Sequence, residues 1–163
     1  MSDVVIVEAV RSPIGRRNGG LSTVHPVDLL AEMQQEVIRR SGIDPSVIGQ
    51  VVTGCVSQIG EQSFNVGRTA WLSAGLPKQV AATTVDTQCG SSQQATNMAT
   101  ALVKAGVIDV ALACGVEVMS RVPIGVNSSK KLGYGVPIPK SYFEEYEFTS
   151  QFEGAERIAD KYG

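Results

Sequence analysis

Two textures alternate along most of the chain: short β-branched runs, and longer stretches with helical spacing. Val4-Val5-Ile6-Val7 is an unbroken β-branched run, which predicts a strand buried on both faces, as in a parallel sheet. From Pro26 the pattern turns helical. Val27, Leu30, Ala31, Val37 and Ile38 keep the i, i+3, i+4, i+7 spacing, with Gln34 as the polar lapse. Pro26 suits the first turn, and Gly42 followed by Pro45 suits the stop. Val51 to Val56 predicts a second strand, with Cys55 as a small core residue. Phe64 to Ala74 predicts a short helix, closed by Gly75 with Pro77 beyond. Ala81 to Val85 predicts a third strand. Ala95, Met98, Ala99, Leu102 and Val103 then share one helical face that ends at Gly106, and the nearly all-apolar Val107 to Cys114 predicts a fourth, central strand.

The order β-loop-α-β-α-β-α-β predicts an α/β layered sheet with right-handed crossovers. After Ser120 the texture changes. Arg121 to Pro139 holds three prolines and three glycines without sustained periodicity, and predicts neither a strand nor a tight connection. Ser141 to Phe152 is richer in Tyr, Phe and Glu. Gly154 to Tyr162 predicts the start of a helix, with Ala155, Ile158, Ala159 and Tyr162 on one face. We therefore expect an α/β domain over residues 1–119, incomplete because its final strand is missing, and the beginning of a second domain over 120–163.

Composition narrows the function classes. A chain of 163 residues suits one compact domain or a piece of a larger protein. Its 14 Lys and Arg stand against 16 Asp and Glu, and no basic run is interleaved with aromatics, which argues against a nucleic-acid partner. Met1-Ser2-Asp3 does not open like a signal peptide, and no apolar run nears the ~20 residues of a membrane span. The three cysteines are widely spaced and form no C-x-x-C pair. That argues against a disulfide framework or a zinc site and for a reducing compartment, so a cytoplasmic location is expected.

The candidate chemistry centres on Cys89. It stands where the third strand gives way, through a polar turn, to a helix, and the unpaired N–H groups and dipole of a helix start stabilise thiolate over thiol. Gly90, Ser91 and Ser92 are small enough to admit an acyl substrate. The stretch predicts a nucleophile elbow; the competing account is a buried structural cysteine. His25 is the only histidine, a candidate base whose place before Pro26 fits a surface or capping residue better. Arg11, Arg16 and Arg17 either steer an anion or decorate a solvated loop, and no phosphate-loop pattern accompanies them. Glu117 either orients a group in the site or is held by nearby backbone amides.

Several spaced motifs, in order, resemble the amino-terminal part of the thiolase family, the acetyl-CoA C-acyltransferases. Glu8-Ala9-Val10-Arg11-Ser12-Pro13-Ile14-Gly15 resembles the family's E-A-x-R-[ST]-P-x-G opening, and Val51 to Gly75, with Asn65-x-x-Arg68, its second strand and following helix. Asp86 to Ala95 resembles the nucleophile motif N-x-x-C-x-S-G-x-Q-A, and Gly115-x-Glu117-x-Met119-Ser120 the G-x-E-x-M-S element. Asp86 replaces the usual Asn and Ser92 the usual Gly. Ser150 and Gln151 align with a His-Met pair ahead of G-x-T-A-E, of which only Ala155-Glu156 is kept. Ser150 and Gln151 are accordingly the candidate substrate-binding positions, and their departure points to a different acyl pocket.

The resemblance implies two-step thiolysis of a 3-ketoacyl-CoA, closer to the fatty-acid or steroid side-chain degradative type. Cys89 would be the nucleophile, with its own amide as one oxyanion donor. No bound cofactor is implied; coenzyme A is a co-substrate, and acyl-CoA and CoA are the partners. The family's catalytic histidine, its second cysteine in C-x-G and its Asn-Glu-Ala-Phe element have no counterpart here, so a truncated chain with little activity alone is expected. Neither His25 nor Cys114 fits those motifs. A homodimer or homotetramer is implied for the complete protein, packed through Gly90 to Ala95 and the Asn65/Arg68 element. A 3-ketoacyl synthase shares the fold and the cysteine, although the opening around Arg11 and the Gly115 to Ser120 element favour thiolase. A non-catalytic module that binds acyl-CoA or assembles with a complementary chain is the remaining alternative.

Overall fold

The computed structural model describes residues 3–163. It divides into two compact units, one ending at Asn127 and the other running over Ser128–Gly163.

In the first unit, helix α1 (Pro26–Ser41) starts on His25, whose Nδ1 accepts the Val27 amide at 3.2 Å, and stops at Gly42 in the left-handed region. His25 is thus the capping residue that its position suggested. Strand β1 (Gln50–Gly54) follows, then α2 (Val66–Ser73), β2 (Ala81–Val85), α3 (Ser91–Lys104) and β3 (Ala111–Gly115). All described pairings are parallel, in the order β2-β1-β3, with Gln50 opposite both Ala81 and Ala111. Alternation along β1 distributes the core between two layers. Val51 packs with Trp71, Ile48, Val80 and Leu112, whereas Val52 packs with Ala95 and Ala99 of α3. Helices α1 and α2 share a further cluster of Leu30, Ala31, Val66 and Ala70 with Cys55. The sheet therefore lies between α1 and α2 on one face and α3 on the other.

Two expectations are corrected. Val4 to Val7 does not form a strand: Val5, Ile6 and Val7 are 72 %, 81 % and 65 % exposed. Strand propensity is a local property, but a buried strand needs a neighbour's hydrogen-bonding edge, and no described strand pairs with this run. Instead it lines a large open cleft of about 1340 Å³ together with Leu30, Ala99 and Leu112. The second correction concerns Val107 to Cys114. The strand begins only at Ala111, and it is β1 that occupies the middle of the described sheet. Residues 106 and 107 are used to end α3: Gly106 N–H donates to Val103 O and Val107 N–H to Leu102 O. That Schellman pair holds Val107 out of the sheet.

In the second unit a short 3-10 turn (Lys130–Leu132) precedes α4 (Tyr142–Glu145) and α5 (Gln151–Tyr162). Tyr142 packs its ring against Phe143, Tyr146 and Phe148. Arg157 on α5 pairs with Glu147 at 2.8 Å and Glu153 at 2.9 Å.

Candidate active site

β2 ends at Val85, and a polar turn carries the chain over the carboxyl ends of the strands into α3. Its conformation is fixed from several sides. Asp86 Oδ1 accepts the Gln88 amide at 2.7 Å. Ser91 Oγ accepts the Thr87 amide at 3.0 Å and donates to Gln88 O at 2.6 Å. Gly90 and Ser91 close the turn onto Thr87 O and Gln88 O. These bonds hold Gln88 at φ +54°, a left-handed conformation that costs a non-glycine residue about 1 kcal/mol. Asp86 serves as an Asx-turn acceptor, a task that needs only a side-chain carbonyl-type oxygen at that place. Either Asp or Asn supplies that oxygen.

Cys89 follows Gln88 directly and is exposed. It lines a cleft of about 270 Å³ with Gly54, Cys55, Val56, Ser92, Gly115 and Glu117. Two glycines let α3 sit this close to the sheet. A Cβ at Gly54 would overlap the backbone of Ser91 and Ser92, and one at Gly115 would overlap the Ser92 hydroxyl. The start of α3 is therefore pressed against the ends of β1 and β3, and the thiol is carried just ahead of it.

The other two thiols are not poised for reaction. Cys55 is buried, and its Sγ donates to Glu117 Oε1 at 3.5 Å. Burial, then the charge of Glu117, pushes its thiol up to about 12. Cys114 contacts Thr53 Oγ1 at 3.2 Å, and Gln34 Nε2 approaches it at 3.8 Å; burial pushes this thiol up as well. A reactive thiol needs access and a stabilised thiolate, and of the three only Cys89 is exposed.

Glu117 is held by amides, as one of its two expected roles required. Oε1 accepts Val56 N at 2.5 Å and Ser57 N at 3.1 Å, and Oε2 accepts Gln62 Nε2 at 2.9 Å. Gln62, which is 1 % exposed, also donates to Ser57 O at 3.0 Å and accepts Val118 N at 2.9 Å. Sequence reasoning missed Gln62, because a glutamine inside a polar, glycine-containing turn carries no signal of burial. Asn65 caps α2 from a left-handed conformation, donates to Ala82 O at 2.8 Å and accepts Thr84 Oγ1 at 2.8 Å. Arg11, Arg16 and Arg17 are exposed.

Ser150 and Gln151 lie in the second unit. Ser150 is the N-cap of α5, its Oγ accepting Glu153 N at 3.1 Å, and Gln151 is the first helical residue and is exposed. No described helix is long and apolar enough to cross a membrane.

The family model described as "Thiolase, N-terminal domain" matches residues 4–162. The chain belongs to the thiolase family. Among its relatives, the steroid 3-ketoacyl-CoA thiolase FadA6 of Mycobacterium tuberculosis is 39 % identical over 168 aligned residues, covering 99 % of this chain and 41 % of that protein. A 3-ketoacyl-CoA thiolase of Aeromonas hydrophila is 44 % identical over 126 residues, 76 % of this chain and 33 % of its own length. The crystal structure of the Bacillus anthracis acetyl-CoA acetyltransferase superposes with a TM-score of 0.81 at 34 % identity, over 99 % of this chain and 42 % of that one. This thiolase chain thus spans about two fifths or less of the length of these relatives, and its α/β layered fold is that of the acetyltransferase.

Proposed function

We propose that this thiolase chain carries the nucleophile of an acyltransferase that cleaves 3-ketoacyl-CoA to acetyl-CoA and a shortened acyl-CoA, or runs the reverse condensation. One observation supports this most directly: Cys89 is exposed on a turn fixed by Asp86 and Ser91, ahead of α3, in a cleft at the carboxyl ends of parallel strands. Ligand sites in open α/β sheets gather at that edge. In the forward direction the Cys89 thiolate attacks the 3-keto carbon and forms a C–S bond. The bond between C2 and C3 then breaks, its electron pair leaves on the methylene carbon, and that carbon takes a proton as acetyl-CoA departs. The thiolate of a second CoA attacks the acyl-Cys89 thioester, releasing the shortened acyl-CoA and regenerating the Cys89 thiolate. The Cys89 amide, at the start of a helix, is suited to donate to the tetrahedral oxyanion.

Proton transfer to the departing carbon and from the incoming thiol is assigned to residues of a longer protein, in keeping with the share of the relatives that this chain spans. Acyl-CoA and CoA are the inferred partners, with no resident cofactor. Ser150 and Gln151 are the inferred acyl-pocket positions, the location is cytoplasmic, and the complete protein is a homodimer or homotetramer. The names of the relatives support a fatty-acid or steroid degradative substrate.

The test is direct acyl transfer. The complete protein, this chain together with the residues that supply proton transfer, is incubated with a 3-ketoacyl-CoA, and its peptides are mapped by mass. One acyl group on the Cys89 peptide, absent in Cys89→Ala and absent from Cys55 and Cys114, is the expected result. Acylation of all three thiols alike, or of none, overturns the reading.

A further inference from the structure

Two segments that leave the sheet at its carboxyl edge are tied together by one carboxylate. Beyond β1 the chain turns through Cys55 to Gln62; beyond β3 it runs through Val116 to Val118. Glu117 reaches from the second to the first and takes both the Val56 and Ser57 amides on one oxygen and the Gln62 amide group on the other. Gln62 returns the connection by accepting Val118 N. The result is a closed ring of hydrogen bonds in which every donor comes from the two walls it joins. Gln62 and Ser57 are 1 % and 4 % exposed, so water has little access to their side of the ring. Charge-assisted bonds to backbone amides in such a place are stronger than neutral ones.

This ring borders the nucleophile. Cys55, Val56 and Glu117 line the same 270 Å³ cleft as Cys89, and Gly54 and Gly115, which precede the two tied segments, lie under the start of α3. A shift of either wall therefore changes the floor on which Cys89 is held. A displacement of about 1 Å in a reacting geometry is enough to cost ~100-fold in rate.

We propose that Glu117 is a positioning residue of the Cys89 site: through Val56, Ser57 and Gln62 it fixes the turn after β1 as the wall that faces the nucleophile. The proposal rests on the acyl-transfer reading above. Its substance is hydrogen-bond geometry, and a second arrangement of the same ring can carry it. In E117Q the introduced amide can keep the two backbone donors on its oxygen, but its NH₂ then opposes the NH₂ of Gln62. Adding Q62E restores a donor–acceptor pair at that junction, although Ser57 O loses the donor that Gln62 supplied.

The experiment follows single-turnover acylation of Cys89 by a 3-ketoacyl-CoA in the complete protein, as a function of substrate concentration, alongside denaturant unfolding. E117Q is expected to lower the maximal acylation rate by about tenfold with half-saturation within twofold of the parent. E117Q/Q62E is expected to recover part of that rate, about threefold. A merely structural role would lower stability without being rescued by moving the charge. Acylation of E117Q at the parent's maximal rate overturns the proposal, as does failure of the double variant to recover when it is folded. Should E117Q not fold, Glu117→Asp, whose shorter carboxylate withdraws from the Val56 and Ser57 amides, is read in its place by the same criterion. If the parent's Cys89 is not acylated at all, the acyl-transfer reading falls and takes this inference with it; an acylated parent with an unaffected E117Q removes this inference alone.

Discussion

The Ser92 hydroxyl occupies the space that a side chain at Gly115 would need. A Cβ built there overlaps Ser92 Oγ and comes within 2.9 Å of Gly54 O. Here the Ser92 side chain fills the gap that a glycine across the helix–sheet contact leaves open. Gly115→Ala is expected to cost about 1–3 kcal/mol by overpacking. Much of that cost should vanish when Ser92→Gly is made with it, leaving the residual approach to Gly54 O. A double-mutant cycle read by urea unfolding is expected to give a coupling of about 1 kcal/mol or more; additive losses would show that the two positions do not share the space.

Asn65 concentrates three bonds in one short side chain. It caps α2 through Arg68 N at 3.3 Å, accepts Thr84 Oγ1 and donates to Ala82 O on the outer strand β2. The neighbouring Arg68 guanidinium reaches Val80 O at 2.5 Å and Lys78 O at 2.6 Å. Removing the cap alone costs about 1 kcal/mol, and the abandoned sheet partners add to it. Asn65→Ala is expected to lose about 2–3 kcal/mol of unfolding free energy, Asn65→Asp less, because the carboxylate keeps both acceptor bonds. Equal losses in the two variants would mean that the bond to Ala82 O dominates.

Trp71 is the only tryptophan and is fully buried, with Nε1 donating to Pro77 O at 2.8 Å. Trp71→Phe removes volume from the cluster of Ile48, Val51, Val80 and Leu112 and leaves a carbonyl without its donor. A loss of about 2–4 kcal/mol is expected from the cavity and the orphaned acceptor together. It is read as a lower denaturant midpoint by circular dichroism, since the substitution also removes the fluorescent probe. In the parent, loss of tryptophan emission and loss of ellipticity are expected to coincide.

Local signals account for the parts of the fold that were legible. Pro26 and Gly42 bracket α1, Ala81 to Val85 is the whole of β2, and the small residues after Cys89 mark the place where α3 closes on the sheet. The misread parts depend on distant partners. Val4 to Val7 has the composition of a buried strand, yet it becomes one only beside a paired edge. Val107 is as apolar as the strand that follows, yet the cap of α3 claims its amide. The helix expected from Phe64 starts at Val66, because Phe64 and Asn65 adopt left-handed conformations that a side-chain pattern does not announce. At the site, the place of Cys89 on a turn just ahead of α3 was legible. The ring around Glu117 was only half legible, since Gln62 becomes a buried partner through a contact 55 residues away in sequence.

Cys55 gives the unfolding equilibrium a dependence on alkaline pH. Its thiol rises from an ordinary value of 9.0 to about 12 in the folded chain, first through burial and then through Glu117. Once the pH exceeds 9, the unfolded chain gives up this proton while the folded chain keeps it, so the folded state binds more protons and stability falls as pH rises. The contribution is fully present below about pH 9 and is lost progressively up to about pH 12, at no more than about 1.4 kcal/mol per pH unit for one group. Cys55→Ala is expected to be less stable than the parent near neutral pH, through lost packing, and to show a shallower decline between pH 9 and 11. Urea unfolding at a series of pH values measures both slopes. Parallel slopes in parent and variant would mean that Cys55 titrates alike in the folded and unfolded chains, and that neither burial nor Glu117 holds its proton.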